Sequence, residues 1–204
     1  MLQKGSCGAE VQDDDRQEAM RGRLRLSATG RRIGVDAYDE LGFAYELKTT
    51  TKGTVSTGRD LHAEKVSRWR QQFWVVGRGR YIKTDDQPGK GLFHFSDLYF
   101  LAPIHLEVYY SKWEAHWAEC WALWREVDER LVGMTPEQCL RNRAIYEQGM
   151  RLNDPSIPLS HIRKHGIRLE GDVAVHLRQL RDQFRHTVPD PGQEGVCAPV
   201  IMTG

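Results

Sequence analysis

Over residues 43–48 the large side chains Phe43, Tyr45 and Leu47 fall on one parity, and Ala44, Glu46 and Lys48 fall on the other. Successive side chains of an extended chain point to opposite faces. This run therefore specifies a strand with one face anchored in a core and the other carrying a carboxylate beside an ammonium. A second β-rich run, residues 33–38, precedes it, and Asp39-Glu40-Leu41-Gly42 separates the two. A short Asp- and Gly-containing loop between two such runs is a hairpin signal. Residues 29–50 are expected to form a β-hairpin with 43–50 as the return strand, and the rest of the chain to be organised around it.

Asp36, on the first strand of that hairpin, adds a second carboxylate to the edge that presents Glu46 and Lys48. Two carboxylates within a few ångströms repel each other unless a hard cation such as Mg²⁺ lies between them. A lysine beside them stabilises charge on a nucleophilic water or on a phosphate under attack. This is the chemistry of the PD-(D/E)xK nucleases, whose pattern is an Asp, a variable gap, then Glu or Asp, any residue and Lys. The triplet here is Asp36, Glu46 and Lys48. Taken alone it is also what an exposed hairpin carries as solubilising charge.

With 204 residues the chain suits one domain with decorations. Its 29 basic and 28 acidic residues leave a formal charge of +1, which identifies no polyanionic partner. A DNA cleft needs only a local concentration of Lys and Arg, so DNA is not excluded. Cys7, Cys120, Cys139 and Cys197 have no CxxC spacing, and no secretory signal precedes them. They are expected to be free thiols of a cytoplasmic protein. No apolar run approaches the ~18 residues that span a membrane.

Along the chain, residues 1–15 are polar and expected to be poorly ordered at their start, and 16–26 form either a short helix or a lead-in strand. Residues 51–60 read as a loop, 61–72 as a helix, 73–82 and 92–101 as strands joined by a turn at 83–91, and 104–132 as a long helix. Trp113, Trp117, Trp121 and Trp124 step along that helix by four, four and three, the spacing of a buried stripe. Thr135 is the expected N-cap of a further helix ending near 152, with Pro136 in its first turn. A helical turn at 160–164, a strand at 167–169, a helix at 172–186 and a flexible tail from 188 complete the chain.

Two later segments strengthen the triplet. Leu106-Glu107, Tyr109-Tyr110, Lys112-Trp113-Glu114 and Trp117 lie together on the long helix, and Asn153-Asp154-Pro155, which ends the next one, is followed by Ile157-Pro158 and His165-Gly166. Together with Asp36-Ala37, Tyr45 to Lys48, Ser56-Thr57, Arg70-Gln71 and Trp74 they closely resemble the PvuII-type restriction endonucleases. The resemblance covers about 30–117 and 153–169, roughly half the chain. Gly58-Arg59-Asp60 stands where the family pattern has three histidines, and Asn153-Asp154 where it has two asparagines. Residues 118–152 look like a helical insertion, the chain from about 171 is additional, and the N-terminal helices of the family's dimer interface have no evident counterpart in 1–15.

The resemblance implies an α/β fold, a mixed central sheet flanked by helices. It divides the chain into a variable lead-in (1–28), the endonuclease domain (29–170, with the 118–152 insertion) and a C-terminal helix and tail (171–204). It implies a type II restriction endonuclease that cuts a palindrome in duplex DNA as a homodimer, leaves blunt ends and a 3′-hydroxyl, and is paired in the cell with a cognate DNA methyltransferase. Asp36, Glu46 and the Leu47 main-chain carbonyl would hold Mg²⁺, and Lys48 would act on the attacking water. Ser56, Thr57, Arg59, Asp60, Asn153 and Asp154 would lie against DNA. Arg59 suits guanine, Asn153 adenine, and Asp60 or Asp154 the cytosine amino group. Each of these also serves as ordinary loop or turn chemistry, and Arg59 as a phosphate contact. Arg68, Arg70, Arg78 and Arg80 are either phosphate contacts or surface charge. The rival readings are a repair or junction-resolving nuclease on the same fold, a catalytically silent DNA-binding relic, and an interaction module built on the tryptophan stripe.

Overall fold

The computed structural model describes residues 9–28, 35–57, 63–83, 91–135, 137–138 and 156–191. Its central strand is β5 (Phe73–Lys83), where Phe73 and Val75 point to one face and Trp74 and Val76 to the other, all four fully buried. A strand buried on both sides needs layers on both faces, and the chain supplies them. On one face α1 (Ala9–Leu24) and α5 (Val173–Phe184) cover Tyr45, Leu47, Phe73, Val75 and Phe100, contributing Met20, Leu24, Leu177 and Leu180. On the other, Trp74, Val76 and Leu101 pack with Val66 and Trp69 of α2 (Ala63–Trp69), Tyr110 and Trp113 of α3 (Glu107–Leu131), and Ile162 of α4 (Leu159–His165).

The main sheet is mixed and six-stranded. Its order is β1 (Ser27–Ala28), β2 (Ala37–Tyr38), β3 (Ala44–Thr50), β5, β6 (Gly91–Leu101) and β8 (Ile167–Arg168). Only β3 and β5 run parallel, with Glu46 opposite Trp74 and Lys48 opposite Val76. A parallel pair needs a crossover, and the chain between them forms β4 (Thr54–Ser56) and α2. β5 and β6 are antiparallel with a bulge at Arg78/Gly79. There a Cβ on Gly79 would stand 2.3 Å from the His94 carbonyl oxygen, so only glycine fits. A separate two-stranded ribbon pairs β4 with β7 (Ser156–Pro158), its buried Val55 opposite Ile157.

The hairpin, the strands at 73–82 and 92–101, α2, the long helix and the last helix all form where the sequence places them. Thr135 caps as expected: its Oγ1 accepts from the Gln138 amide at 3.3 Å while the Gln138 side chain accepts from the Thr135 amide at 3.0 Å. Asp172 caps α5, accepting from the amides of Ala174 and Val175. Residues 29–34, 58–62, 84–90, 139–155 and 192–204, which include the first part of the hairpin strand and the expected helix to 152, lie outside the described residues.

The structure corrects two expectations, for the loop at 51–60 and for the start of the tail at 188, and settles a third segment. The loop at 51–60 contains strand β4, because burying Val55 requires a partner far along the chain. Of the two readings left open for 16–26, helix or lead-in strand, the helix forms, and it starts at Ala9, since Met20 and Leu24 bury one stripe against the sheet. Residues 188–191 are placed against the fold, with Pro191 beside the hairpin turn at Gly42. The expected boundary at 118 falls inside α3, which is continuous to Leu131. Trp113 is buried against Trp69, ring centroids 5.7 Å apart; the side chains of Trp117, Trp121 and Trp124 lie outside the described ones. No helix among the described residues is long and apolar enough to cross a membrane.

Candidate functional site

Alternation along β3 sends Tyr45 and Leu47 into the α1/α5 layer and turns Glu46 and Lys48 toward the α2/α3 layer. Glu46 is only 4% exposed, and the Lys48 ammonium lies 2.6 Å from its Oε1. Asp36 extends the antiparallel β2–β3 ladder by one residue: its amide donates to the Tyr45 carbonyl at 3.2 Å. Its Oδ2 accepts from the Leu47 amide at 2.8 Å. The three residues of the triplet are thus brought together by one hairpin.

The electrostatics follow from that packing. Burial, and then the negative charge of Glu46, push the Asp36 carboxyl up to about 6, against the opposing pull of Lys48, the Leu47 amide and Arg21. The Tyr110 hydroxyl donates to the Trp69 carbonyl at 3.2 Å and titrates far above a free phenol, chiefly through burial and next through the Glu46 charge. Gln17 of α1 donates to the Leu47 carbonyl at 3.5 Å. Gln17 and Arg21 lie one helical turn apart, so one face of α1 addresses the strand. No sequence signal pointed to that approach, because 16–26 has too few apolar positions to separate helix from strand.

The Asp36 and Glu46 carboxylates, with the Leu47 main-chain carbonyl, are the oxygen donors from which a hard divalent cation could be held. Among the described residues no cluster of three or more His, Cys, Asp or Glu side chains is shaped for a metal. His161 and His165 stack with centroids 4.3 Å apart, and His161 Nε2 lies 2.8 Å from the His105 carbonyl oxygen.

The segments expected at DNA meet only in part. Ser56 lies opposite Ser156 in the ribbon, so the chain leaves β4 and enters β7 at the same end. Ser56 is exposed, whereas Thr57 is 1% exposed: alternation beyond buried Val55 turns its side chain inward. Arg59, Asp60, Asn153 and Asp154 lie outside the described residues. Arg70 is engaged by Glu107 and Glu114 of α3 rather than open to a phosphate, and Arg78 stands 4.0 Å from Asp97.

The family model described as "Restriction endonuclease PvuII" matches residues 17–123, from Gln17 of α1 through the hairpin, β5, β6 and most of α3. This is just over half of the 204 residues. The chain belongs to the PvuII restriction endonuclease family and is a type II site-specific deoxyribonuclease.

Proposed function

We propose that Asp36, Glu46 and Lys48 are the catalytic residues, and that the enzyme hydrolyses duplex DNA with Mg²⁺ bound by the Asp36 and Glu46 carboxylates and the Leu47 carbonyl. The observation that carries this is the Lys48 ammonium 2.6 Å from the buried Glu46 carboxylate, on a strand whose other face is pure core, with the half-buried Asp36 carboxylate held to the Leu47 amide of the same strand at 2.8 Å. An Asp36 carboxyl raised to about 6 by burial and its neighbour is a site poised to gain from a cation. When bound, the metal supplies positive charge to the scissile phosphate and acidifies a water. Lys48 orients that water and stabilises charge developing on the phosphate. Water oxygen bonds to phosphorus as the bond to the 3′ oxygen breaks, which leaves a 3′-hydroxyl and a 5′-phosphate.

The exposed Ser56 and the residues Arg59, Asp60, Asn153 and Asp154 contact base edges in this reading. Arg59 and Asp60 favour G·C pairs and Asn153 favours adenine. The site is a palindrome cut on both strands to blunt ends by a homodimer, and a cognate methyltransferase protects the host. Digestion of a plasmid of known sequence with Mg²⁺, followed by end mapping, tests this. Discrete blunt-ended fragments from one palindrome are expected. Scattered nicks or cleavage without divalent metal would refute it.

A further inference from the structure

Pairing between β2 and β3 is short: two residue pairs, Ala37 with Tyr45 and Tyr38 with Ala44, with the Asp36 and Asp39 amides bonded to the Tyr45 and Phe43 carbonyls at its ends. So short a ladder specifies its register weakly, and a slip of one residue exchanges every side chain between faces. Here a slip would take Asp36 off the Leu47 amide and away from Glu46. Something beyond the ladder must hold the turn.

Asp39, 7% exposed, occupies that turn, and both of its carboxylate oxygens are used. Oδ1 accepts from the amides of Leu41 at 3.0 Å and Phe43 at 2.9 Å. Oδ2 accepts from the Tyr45 hydroxyl at 3.2 Å and from Arg181 Nη1 at 2.9 Å. Arg181, on α5, is itself buried; the same Nη1 reaches Glu40 Oε1 at 2.9 Å and its Nε reaches Asp182 at 2.9 Å. Its guanidinium lies 5.9 Å from the centroid of the Phe43 ring. A second contact from the C-terminal segment falls on the same turn: Gly42 has φ +88°, and a Cβ there would sit 3.1 Å from Pro191. Buried ion pairs contribute little net stability but can fix a register.

We propose that Arg181 is a positioning residue for the catalytic carboxylates, holding the Asp39 turn so that Asp36 and Glu46 stay in register. This rests on the assignment of Asp36, Glu46 and Lys48 made above. Arg181 lies outside the segment 17–123 that carries the family match.

The test uses the full chain with Arg181→Met and Arg181→Lys. Three quantities are measured where circular dichroism shows each variant folded: Ca²⁺ affinity by calorimetry, single-turnover cleavage in Mg²⁺, and DNA affinity without metal. For Arg181→Met, Ca²⁺ affinity is expected to weaken about tenfold and the cleavage rate to fall roughly 10- to 100-fold, as small misplacements at a reacting centre do. Metal-free DNA affinity stays within about twofold. Arg181→Lys keeps Asp39 charge-paired but loses the guanidinium fork, and falls between Arg181→Met and the parent. A folded Arg181→Met with parental Ca²⁺ affinity and rate overturns the proposal. If Arg181→Met does not fold, a parental Arg181→Lys does the same. Lys48→Ala, run alongside, separates the two claims: if it cuts normally the catalytic assignment has failed, whatever Arg181 does.

Discussion

Ser56 and Ser156 face each other across the β4–β7 ribbon, so the chain leaves β4 and enters β7 at one end of it. The ribbon is anchored by Val55 and Ile157, opposite each other and fully buried against Trp74 and Trp69. Ile157→Ala should cost roughly 2–4 kcal/mol, the usual range for deleting a buried aliphatic side chain. Specific DNA affinity should drop by more than non-specific affinity, because the phosphate contacts that dominate the latter are less dependent on ribbon geometry. Urea unfolding and competition binding measure both, and equal losses in the two affinities would contradict the role given to the ribbon.

Lys48→Ala should leave cleavage below a few per cent of the parent rate, with specific binding still measurable, since the lost charge acts mainly in the transition state. A variant that retains more would remove Lys48 from the mechanism.

Asp36 gives a pH signature in the metal-free enzyme. Its folded-state pKa, about 6, lies above the ordinary 3.8, so between these values the folded state holds more protons than the unfolded one. Stability therefore falls as pH rises through this window, by at most on the order of 2–3 kcal/mol. Asp36→Asn keeps an acceptor for the Leu47 amide and removes the penalty. It should be more stable than the parent at pH 7–8, lose that advantage near pH 4, and be inactive. Chemical denaturation across pH checks this; parallel curves for parent and variant would exclude it.

Arg59→Ala distinguishes readout of a base from attachment to a phosphate. Base readout predicts relaxed discrimination at one G·C pair, costing about 1–3 kcal/mol against that pair alone. Affinities for single-substitution sites report it. Uniform weakening across all sites with a shallower salt slope would assign Arg59 to a phosphate instead.

What could be read from the sequence was local in origin. The period of two in 43–48 declares β3 and both its faces, and Asp39 and Gly42 declare the turn. The tryptophan spacing declares a helix, and Trp113 buries as that spacing requires. The features that escaped depend on distant partners. β4 is a strand because Ile157 covers Val55, and α1 is a helix because Met20 and Leu24 find a sheet to lie on. Gln17, Arg21 and Arg181 give no pattern at all, since each matters through residues far from it in the chain.

The Arg181–Asp39 pair joins residues 142 positions apart. Closing so long a loop has an entropic cost that local structure does not share, so contacts of this kind form late in folding. A growing chain makes the hairpin well before it makes α5, and until then Asp39 has no guanidinium beside it. On the role proposed for Arg181, the turn has its local bonds to the Leu41 and Phe43 amides from the start and gains its brace when the C-terminal helix docks. An interrupted product of synthesis therefore carries Asp36, Glu46 and Lys48 without that brace.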